Sequence, residues 1–497
     1  MCVAARVSLD QGRPPDALTV LLRLLAASPS RRDLREELAR AASEPEGVRA
    51  LLQQLDATGE GLAAALAFVA AAVKDGGGAA AAAQLSAKAA ALLPRSAAHA
   101  LAHCHALEAA GRPGAALDAL ASYFEANAAA PLGGGASLGQ LVPLLRGAPR
   151  LPGDARPGAA GMEGYVADAM NAELPDAATA AAACAAALPA WPTSGVPPES
   201  GGDAYAPDAL DALAASFCAV KLLFAVGCVR RAAAVAAVAE RARAASRVPL
   251  HTTHIRNEAA YYACVAALLR DYPLAAPPAP PPQGAPPAPP PVYLLGDSHV
   301  LAAAWRRVPL GGQQRVLVPA LVTGVKAWHL RPGCRFYPAK HWASAAARLP
   351  DGAAVVACAG EIDCREGLLH AVARGRYDSL PAAAAATAAL LVAELQRLAA
   401  QRRFILYVHP VPPVLDVTRP VVRLFNAALR DAVRATSAAP APARLRWLEL
   451  QAPLLADEQA GGSGGGGGLR PEYALDGTHL SPRYVELLAM ALHDATQ

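Results

Sequence analysis

The sequence predicts an all-α N-terminal region followed by an α/β C-terminal domain. The chain has 497 residues, which is too long for one ordinary hydrophobic core. A proline-rich stretch at 273–291 divides it, with alanine-rich helical patterns before this stretch and short apolar runs alternating with helical patterns after it. Alternating β and α units predict a parallel sheet covered by helices on both faces, which is a three-layer α/β/α arrangement.

Composition excludes several classes of function. Hydrophobic residues make up 54% of the chain and charged residues 17%, which is typical of a globular protein. The net charge is only +4 and the basic residues are scattered, so nucleic acid is not an expected partner. The nine cysteines form no C-x-x-C pair and no metal-ligand spacing, which fits a reducing compartment.

The sequence predicts a soluble, cytoplasmic protein. Its first residues, MCVAARVSLDQGRPP, contain no uninterrupted apolar segment of the kind found in secretory signals. The longest apolar stretch, around 209–229, is broken by Asp211 and Lys221 and is too short to span a bilayer. We therefore expect no membrane span.

Proline and glycine content defines the segments of the chain. Proline fixes φ and removes a hydrogen-bond donor, so 273–291 can join neither a helix nor a sheet and is expected to be an extended spacer. It separates a helical region at 1–272 from an α/β domain at 292–497. The Gly- and Pro-rich stretches near 130–204 and at 461–468 are expected to be poorly ordered inserts, because they cannot bury enough apolar surface to offset chain entropy.

A degenerate repeat runs through the helical region. The copies are Gly12, Ala17 and Pro29; Gly77, Ala82 and Pro94; Gly111 and Ala116; and Gly227 and Ala232. The 34-residue step between the second and third copies resembles the tetratricopeptide repeat, in which a small residue lets two antiparallel helices approach. Over 1–130 and 205–270 the resemblance implies a helical solenoid that could bind a protein partner. Alanine-rich hairpins with coincidental glycines are the alternative.

The C-terminal domain is predicted to alternate strands with helices. Strands are predicted at 292–297, 315–321, 353–358, 403–409 and 445–450, and helices at 299–307, 339–348, 380–401, 420–436 and 482–494. In open sheets of this kind the functional site lies at the carboxyl ends of the strands. The side chains that follow these strands are therefore the candidates for chemistry.

The segment YLLGDSH at 293–299 places Ser298 directly after the first strand. The serine precedes a predicted helix, whose first amide groups favour negative charge. A serine hydroxyl is a weak nucleophile unless an oriented base removes its proton. If Ser298 is a nucleophile, the chain must therefore supply a histidine and a carboxylate elsewhere.

Such a pair occurs near the C-terminus, in LDGTHLSP at 475–482. Asp476 and His479 are three residues apart, in a predicted tight loop ahead of the last helix. This spacing can set the carboxylate against one imidazole nitrogen and leave the other nitrogen facing outward. The pair is therefore a candidate base for Ser298.

Together, the G-D-S and D-x-x-H segments resemble the SGNH, or GDSL, hydrolase superfamily over about 292–497. The resemblance implies a flavodoxin-like α/β/α domain in which Ser298 is the nucleophile, His479 the general base and Asp476 its orienting partner. Gly324, in LVTGVKAW, matches the second-block glycine, whose amide would join that of Ser298 in an oxyanion hole. Such chemistry requires no cofactor.

The third block of that family is altered in this chain. The family shows Gly-x-Asn-Asp, and the corresponding residues here are Gly360, Glu361, Ile362 and Asp363. The asparagine that would donate to the oxyanion is thus replaced by isoleucine. Losing one such donor typically costs about 2.7 to 4 kcal/mol of transition-state stabilisation. We expect weakened activity unless a substitute donor exists, and Arg365 and His299 are the candidates for that role.

Three further segments have two interpretations each. The charged run Glu361, Asp363, Arg365 and Glu366 forms either a floor that grips a polar substrate or an ion-pair cluster that braces the loop. His409 either lines the pocket or packs before a proline turn. The segment VKAWHLRPGCRFYP, 325–338, is either a substrate-binding loop or an aromatic cover of the sheet edge.

These observations predict a serine esterase-type hydrolase that forms an acyl-Ser298 intermediate. A charged pocket floor favours a small polar or carbohydrate ester over a long-chain lipid. Acyl transfer is a close variant, because a sugar hydroxyl can attack the same acyl-enzyme as water. The alternative class is a degraded hydrolase domain that binds without turnover, beside a helical scaffold for proteins. No H-E-x-x-H or H-x-x-E-H motif occurs, and no metal site is expected.

Overall fold

The computed structural model describes residues 14–42, 45–56, 61–146, 148, 205, 207–246, 248–274, 290–436, 445–456 and 468–497. Within them the N-terminal region is helical apart from one two-stranded hairpin, and the C-terminal region contains a six-stranded mixed sheet with helices. The predicted change of architecture along the chain is thus observed. The proline-rich stretch apart from its ends, and most of the two predicted inserts, lie outside the described residues.

The N-terminal region contains eleven α-helices among its described residues. They are α1 (Pro14–Ala27), α2 (Arg32–Ala41), α3 (Pro45–Asp56), α4 (Leu62–Asp75), α5 (Ala79–Leu92), α6 (Ala97–Ala109), α7 (Pro113–Ala126), α8 (Val142–Leu145), α9 (Pro207–Ala225), α10 (Val229–Ala244) and α11 (Arg256–Asp271). Alanine is the strongest helix former and its small side chain lets neighbouring helices pack closely. The described alanine-rich segments of this region thus form helices.

The repeat pattern marks helical hairpins in its described copies. The turn glycines with positive φ are Gly77 (95°), Gly111 (73°) and Gly227 (83°). Glycine adopts this left-handed conformation without the steric cost that other residues pay. The alanines five residues later are completely buried, and they are Ala82, Ala116 and Ala232. Gly12, in the first copy, lies outside the described residues.

All three of these turns also pack against the C-terminal domain, and at Gly111 the carbonyl oxygen accepts a hydrogen bond from Arg348 at 3.1 Å. A Cβ added at Gly77 would lie 2.1 Å from the carbonyl oxygen of Arg335, and one added at Gly227 would lie 2.9 Å from the Trp305 ring. The Trp305 indole N–H donates to the carbonyl oxygen of Phe224 at 2.6 Å. Buried apolar side chains of both regions form one continuous cluster. The helical region and the sheet therefore share a core.

The start of the predicted 130–204 insert is a small ordered hairpin. Strands β1 (Pro131–Gly133) and β2 (Ala136–Ser137) pair antiparallel ahead of α8. Gly134 and Gly135 form the turn with positive φ, and Leu138 after the hairpin is buried. Glycine serves a tight turn here, which composition alone does not distinguish from an unstructured insert.

The C-terminal sheet has the strand order β4-β5-β3-β6-β7-β8. The strands are β3 (Val292–Gly296), β4 (Arg307–Leu310), β5 (Gln313–Leu321), β6 (Ala354–Cys358), β7 (Ile405–Val408) and β8 (Leu445–Trp447). Every pair except β4–β5 is parallel. Strand β3 lies inside the sheet and all of its residues are buried, as expected for a continuous apolar run.

One edge of the sheet corrects the prediction of a purely parallel sheet. The predicted helix at 299–307 is absent there; a short 3₁₀ turn forms at Ser298–Leu301, and β4 pairs antiparallel with β5. Gly311 and Gly312 connect these strands, both with positive φ, which is the two-residue hairpin turn that Gly-Gly favours. The three alanines at 302–304 favour a helix by propensity, but strand pairing decides the structure of this edge.

Helices pack on the sheet. They are α12 (Tyr337–Ala347), α13 (Leu368–Ala373), α14 (Leu380–Arg402), α15 (Arg419–Ala435), α16 (Gln451–Leu454) and α17 (Val485–Asp494). Among the described residues, α14 is the one helix long and apolar enough to cross a membrane. Its Leu391 and Leu395 are buried inside the protein.

Candidate active site

Ser298 lies at the carboxyl end of β3, inside the sheet. The strand ends at Gly296, where a Cβ would lie 1.9 Å from the carbonyl oxygen of Cys358 on β6. Asp297 then caps the 3₁₀ turn, and its carboxylate accepts the backbone N–H of His299 at 3.0 Å. This turn leaves Ser298 half-buried at the edge of the sheet, between two buried neighbours.

The structure brings Ser298, His479 and Asp476 into one hydrogen-bonded chain. The hydroxyl of Ser298 lies 2.9 Å from Nε2 of His479, although the two residues are 181 positions apart. Nδ1 of the same ring lies 3.1 Å and 2.9 Å from the two carboxylate oxygens of Asp476. Nδ1 therefore donates to the carboxylate, which leaves Nε2 to accept the proton of the serine hydroxyl.

The C-terminal loop orients this pair through its backbone. Oδ1 of Asp476 accepts the N–H groups of Thr478 and His479, each at 2.7 Å. The Leu475 N–H donates to the His479 carbonyl oxygen at 3.0 Å and closes the turn. Burial alone would raise the pKa of Asp476, but hydrogen bonds from His479 and from the two amides hold that pKa below its usual value. Asp476 is therefore a stable carboxylate partner for the imidazole.

A second histidine connects the two segments that carry these residues. Nδ1 of His299 lies 2.9 Å from Oδ1 of Asp297, and its Nε2 lies 3.1 Å from the carbonyl oxygen of Thr478. Both partners are acceptors, so both ring nitrogens carry protons when both hydrogen bonds form, and the ring is then an imidazolium. Burial lowers the pKa of His299, but attraction to Asp297 and the bond to Thr478 outweigh it and raise the pKa above its ordinary value.

The two predicted substitute oxyanion donors have other partners. Both ring N–H groups of His299 are directed at Asp297 and Thr478. Arg365 is one-third exposed, with Nη1 3.7 Å from Glu361 and Nε 3.6 Å from Glu366. Its guanidinium thus belongs to a partly exposed ion-pair cluster. A role for either residue at the oxyanion stays a prediction.

Asp363 braces the loop that follows Gly324. Its two carboxylate oxygens accept the backbone N–H groups of Ala327 and Trp328 at 2.6 Å and 3.2 Å. These two residues begin a 3₁₀ turn at Ala327–Leu330. Burial raises the pKa of Asp363 to about 6, although both hydrogen bonds act in the opposite direction. For this residue the geometry favours the bracing interpretation of the charged run.

Glu361, like Asp363, is electrostatically coupled to Asp297, and it is also coupled to His299 and His479. Its side chain is buried, and Arg365 lies 3.7 Å away. Burial raises its pKa, and the charges of His299 and Arg365 oppose that rise. Asp297 and His479 also influence this carboxyl group electrostatically. Glu361 therefore contributes to the charge balance around the imidazole of His479.

The second- and third-block glycines both require a left-handed backbone. Gly324 has φ +70° and Gly360 has φ +119°, values that side-chain-bearing residues rarely adopt. A Cβ at Gly360 would also lie 2.8 Å from the Phe425 ring and 3.0 Å from a methyl group of Val411. Glycine at this position thus lets the chain turn between the end of β6 and Glu361.

His409 is a packed residue ahead of a proline turn. Its Nδ1 donates to the carbonyl oxygen of Pro410 at 2.6 Å, and its ring lies edge-on to Tyr484 with centroids 5.8 Å apart. Burial lowers its pKa to about 4, so the ring is neutral. In the segment 325–338, the guanidinium of Arg331 lies 4.3 Å from the centroid of Trp328, a stacked pair over the loop.

The helical region contributes residues beside the site that sequence analysis did not identify. Strand register pairs Gly296 with Leu321, so Thr323 occupies the position on the neighbouring chain segment that corresponds to Ser298. The hydroxyl of Thr323 donates to a carboxylate oxygen of Glu108, 215 positions away, at 2.9 Å. No motif surrounds Glu108, which lies in an alanine-rich helix, so its sequence context gave no signal.

A thiol of the helical region lies behind the pair Asp476 and His479. Side-chain atoms of Cys264, Asp476 and His479 that could bind a metal lie within 4.8 Å of one another. Both nitrogens of His479 already face Asp476 and Ser298, so the ring has no lone pair left for an ion in this arrangement. Burial raises the pKa of Cys264 well above its usual value. The neutral thiol therefore packs α11 against the loop.

Comparisons with protein-family models, with curated proteins and with solved structures found no match to this chain. The chemistry assigned to this site therefore rests on its own residues and their geometry.

Proposed function

We propose that this chain is a serine esterase-type hydrolase of the SGNH type, in which Ser298 attacks, His479 acts as general base and Asp476 orients the imidazole. The observation that carries this proposal is the distance of 2.9 Å from the Ser298 hydroxyl to Nε2 of His479. A serine, an imidazole and a carboxylate joined in this order form the arrangement that activates a hydroxyl group. Its location at the carboxyl edge of the sheet supports the same reading.

In the proposed acylation, Nε2 of His479 removes the hydroxyl proton as Oγ of Ser298 attacks the carbonyl carbon of the ester. The carbonyl electron pair moves onto oxygen, where the amides of Ser298 and Gly324 stabilise the negative charge. The intermediate then collapses and the ester C–O bond breaks. The imidazolium returns its proton to the departing oxygen, which releases an alcohol and leaves an acyl-Ser298 ester.

Deacylation repeats these steps with water. Nε2 of His479 takes a proton from water as the water oxygen attacks the acyl carbon, and the proton returns to Oγ of Ser298 when the acyl–serine bond breaks. The products are a carboxylic acid and the free enzyme. Acyl transfer needs only an acceptor hydroxyl in place of water, so it belongs to the same proposal.

Binding without turnover is the second candidate function, and Ile362 favours it. Without the third-block asparagine the proposed oxyanion hole lacks a donor worth about 2.7 to 4 kcal/mol. The helical hairpins, with their turn glycines and buried alanines, support the proposal of a tetratricopeptide-like scaffold that binds a protein partner. A cytoplasmic location stays part of the proposal.

Labelling with a fluorophosphonate probe tests the hydrolase proposal, because the probe reacts with activated serines. The full chain should be labelled, and Ser298→Ala should abolish the signal. Ser344→Ala, at a half-buried serine on α12, is the matched control and should be labelled like the wild type. A wild-type chain that does not react, or a Ser298→Ala chain that does, would contradict the assignment of the nucleophile.

A further inference from the structure

A polar cavity lies between the helical region and the C-terminal domain. Its volume is about 200 Å³, and the C-terminal domain contributes Thr323, Tyr337 and His341 to its lining. Thr323 precedes Gly324 and is the strand-register counterpart of Ser298. The Val322 N–H donates to the Gly296 carbonyl oxygen at 2.7 Å, so pairing continues past the strand ends. Adjacent strands lie about 4.8 Å apart, so we expect the backbone of Thr323, in this wall of the cavity, to lie about one strand spacing from that of Ser298.

The charged groups of the helical wall have charged neighbours within the protein, and for Lys74 this is Asp75, with a carboxylate oxygen 4.0 Å from Nζ. Nζ of Lys221 lies 2.7 Å and 2.8 Å from the two carboxylate oxygens of Glu108. Nε2 of His105 lies 3.4 Å from a carboxylate oxygen of Glu258. Burial lowers the pKa of His341, across the cavity, to about 4, so this imidazole is neutral. An ionic ligand would therefore find no unpaired counter-charge among these groups.

The cavity also disfavours a long acyl chain. Among its described lining residues, Ala109 is the only aliphatic side chain. Two tyrosine rings face the cavity, each beside an ammonium group: Lys221 lies 5.0 Å from the centroid of Tyr261, and Lys74 lies 4.9 Å from that of Tyr337. The lining thus combines aromatic faces with closely spaced donors and acceptors, an arrangement that suits a compact ligand carrying several hydroxyl groups.

We infer that this cavity holds a neutral, hydroxyl-rich group, a sugar residue that carries the ester, while Ser298 attacks the acyl carbon. The inference rests on the proposed function and adds that the helical region supplies the substrate-binding wall. A sugar hydroxyl can donate to Glu108 or Glu258 and accept from Lys74 or Lys221 without disturbing the charge balance. The volume of about 200 Å³ suits one sugar ring better than an oligosaccharide.

Ligand binding to the full-length Ser298→Ala chain tests this inference without turnover. Saturation-transfer NMR would compare 6-O-acetylglucose with glucose 6-phosphate, which is charged, and with methyl octanoate, which is apolar. We expect binding of acetylglucose alone. Asn257→Trp, at the exposed rim of the cavity, should weaken that binding by about tenfold or more. Ala260→Trp, at an exposed position on the same helix outside the lining, is the matched control and should bind as the parent does.

The outcomes separate the inference from the function on which it rests. The inference is overturned if acetylglucose does not bind, if Asn257→Trp binds it as tightly as the parent, or if glucose 6-phosphate or methyl octanoate binds more tightly. Fluorophosphonate labelling of Ser298 without acetylglucose binding would overturn the cavity assignment and leave the hydrolase proposal intact. Acetylglucose binding that depends on Asn257, in a chain that the probe does not label, would overturn the hydrolase proposal instead.

Discussion

Nε2 of His299 lies 3.1 Å from the carbonyl oxygen of Thr478, the residue immediately before His479. Nδ1 of the same ring lies 2.9 Å from Oδ1 of Asp297, the residue immediately before Ser298. One buried imidazolium thus connects the turn of the proposed nucleophile to the loop of the proposed base. We therefore expect the alignment of the Ser298 hydroxyl with the imidazole to depend on the charge of His299, which would act as a positioning residue.

His299→Gln is expected to lower kcat more than it changes KM. Glutamine can donate one of the two hydrogen bonds but carries no charge, so the loop of His479 should lose its fixed position. Small displacements of a catalytic group can cost about a hundredfold in rate, and we expect a loss of roughly 10- to 100-fold, measured with p-nitrophenyl acetate. His370→Gln, at an exposed histidine, is the control. A variant that raises KM and leaves kcat unchanged would contradict positioning.

The pH dependence of this contact has a definite sign. The pKa of His299 is raised above its ordinary 6.5, so the folded state holds the proton more tightly than the unfolded chain. The stabilisation is complete below that ordinary value and is lost as the pH rises through the raised folded value. Urea midpoints and kcat should therefore both decline on the alkaline side. The decline should be weaker in His299→Gln than in the wild type. Equal declines in the two proteins would refute the assignment of the pH dependence to His299.

Asp476→Asn should almost abolish turnover without unfolding the chain. The amide oxygen can still accept the Thr478 and His479 N–H groups, but an amide N–H₂ facing Nδ1 favours the wrong imidazole tautomer. Loss of the carboxylate from such an arrangement costs about 10⁴-fold in kcat. Steady-state kinetics with p-nitrophenyl acetate measure the loss of kcat, and circular dichroism verifies folding. Asp494→Asn, at an exposed site, is the control. Retained activity would show that Asp476 does not orient the base.

Trp305→Phe tests whether the helical region and the sheet unfold together. The substitution removes the N–H that donates to the Phe224 carbonyl oxygen, and an unpaired buried acceptor costs about 1 to 3 kcal/mol. Trp447→Phe is the matched control, because the buried Trp447 N–H has no acceptor among the described residues. We expect a single urea transition in each protein, with a lower midpoint for Trp305→Phe alone. Two separate transitions would contradict a shared core.

Sequence alone identified the residues whose signal is local. Ser298 follows an apolar run, and Asp476 and His479 share one short loop, so each was recognisable from its immediate neighbours. The contact of Thr323 with Glu108 joins positions 215 residues apart and depends on how two regions pack. Such a contact leaves no periodic pattern in the chain, and the same holds for the position of Cys264 next to Asp476 and His479.

The glycines and the sheet edge show a second limit of prediction from sequence. Propensity favours a helix through 299–307, but the structure has a 3₁₀ turn at Ser298–Leu301 and an antiparallel strand at Arg307–Leu310, which the sequence marks only by Gly311 and Gly312. The repeat glycines were predicted to let helices approach one another. In the structure Gly77 and Gly227 also let the C-terminal domain approach, because atoms of that domain lie close to where a Cβ would be. The pattern identified the positions, and the tertiary fold determined what packs there.

Gly360→Ala should destabilise the fold more than alanine at another left-handed glycine. At Gly360 the added Cβ would lie 2.8 Å from the Phe425 ring and 3.0 Å from Val411. Overpacking of this kind costs about 1 to 3 kcal/mol, in addition to the cost of a positive φ. Gly375→Ala is the matched control, because it has φ +64° and no atom within 4 Å of the added Cβ.

A left-handed backbone conformation alone lowers the free energy of unfolding by about 1 to 2 kcal/mol when the residue carries a side chain. Gly375→Ala should show only this loss in urea unfolding, whereas Gly360→Ala should lose roughly 2 kcal/mol more because of overpacking. The displacement at position 360 also shifts Glu361, so kcat for p-nitrophenyl acetate should fall in Gly360→Ala and stay unchanged in Gly375→Ala. Equal unfolding midpoints for the two variants would mean that Phe425 and Val411 move aside at little cost, and the close packing argued for this turn would be wrong.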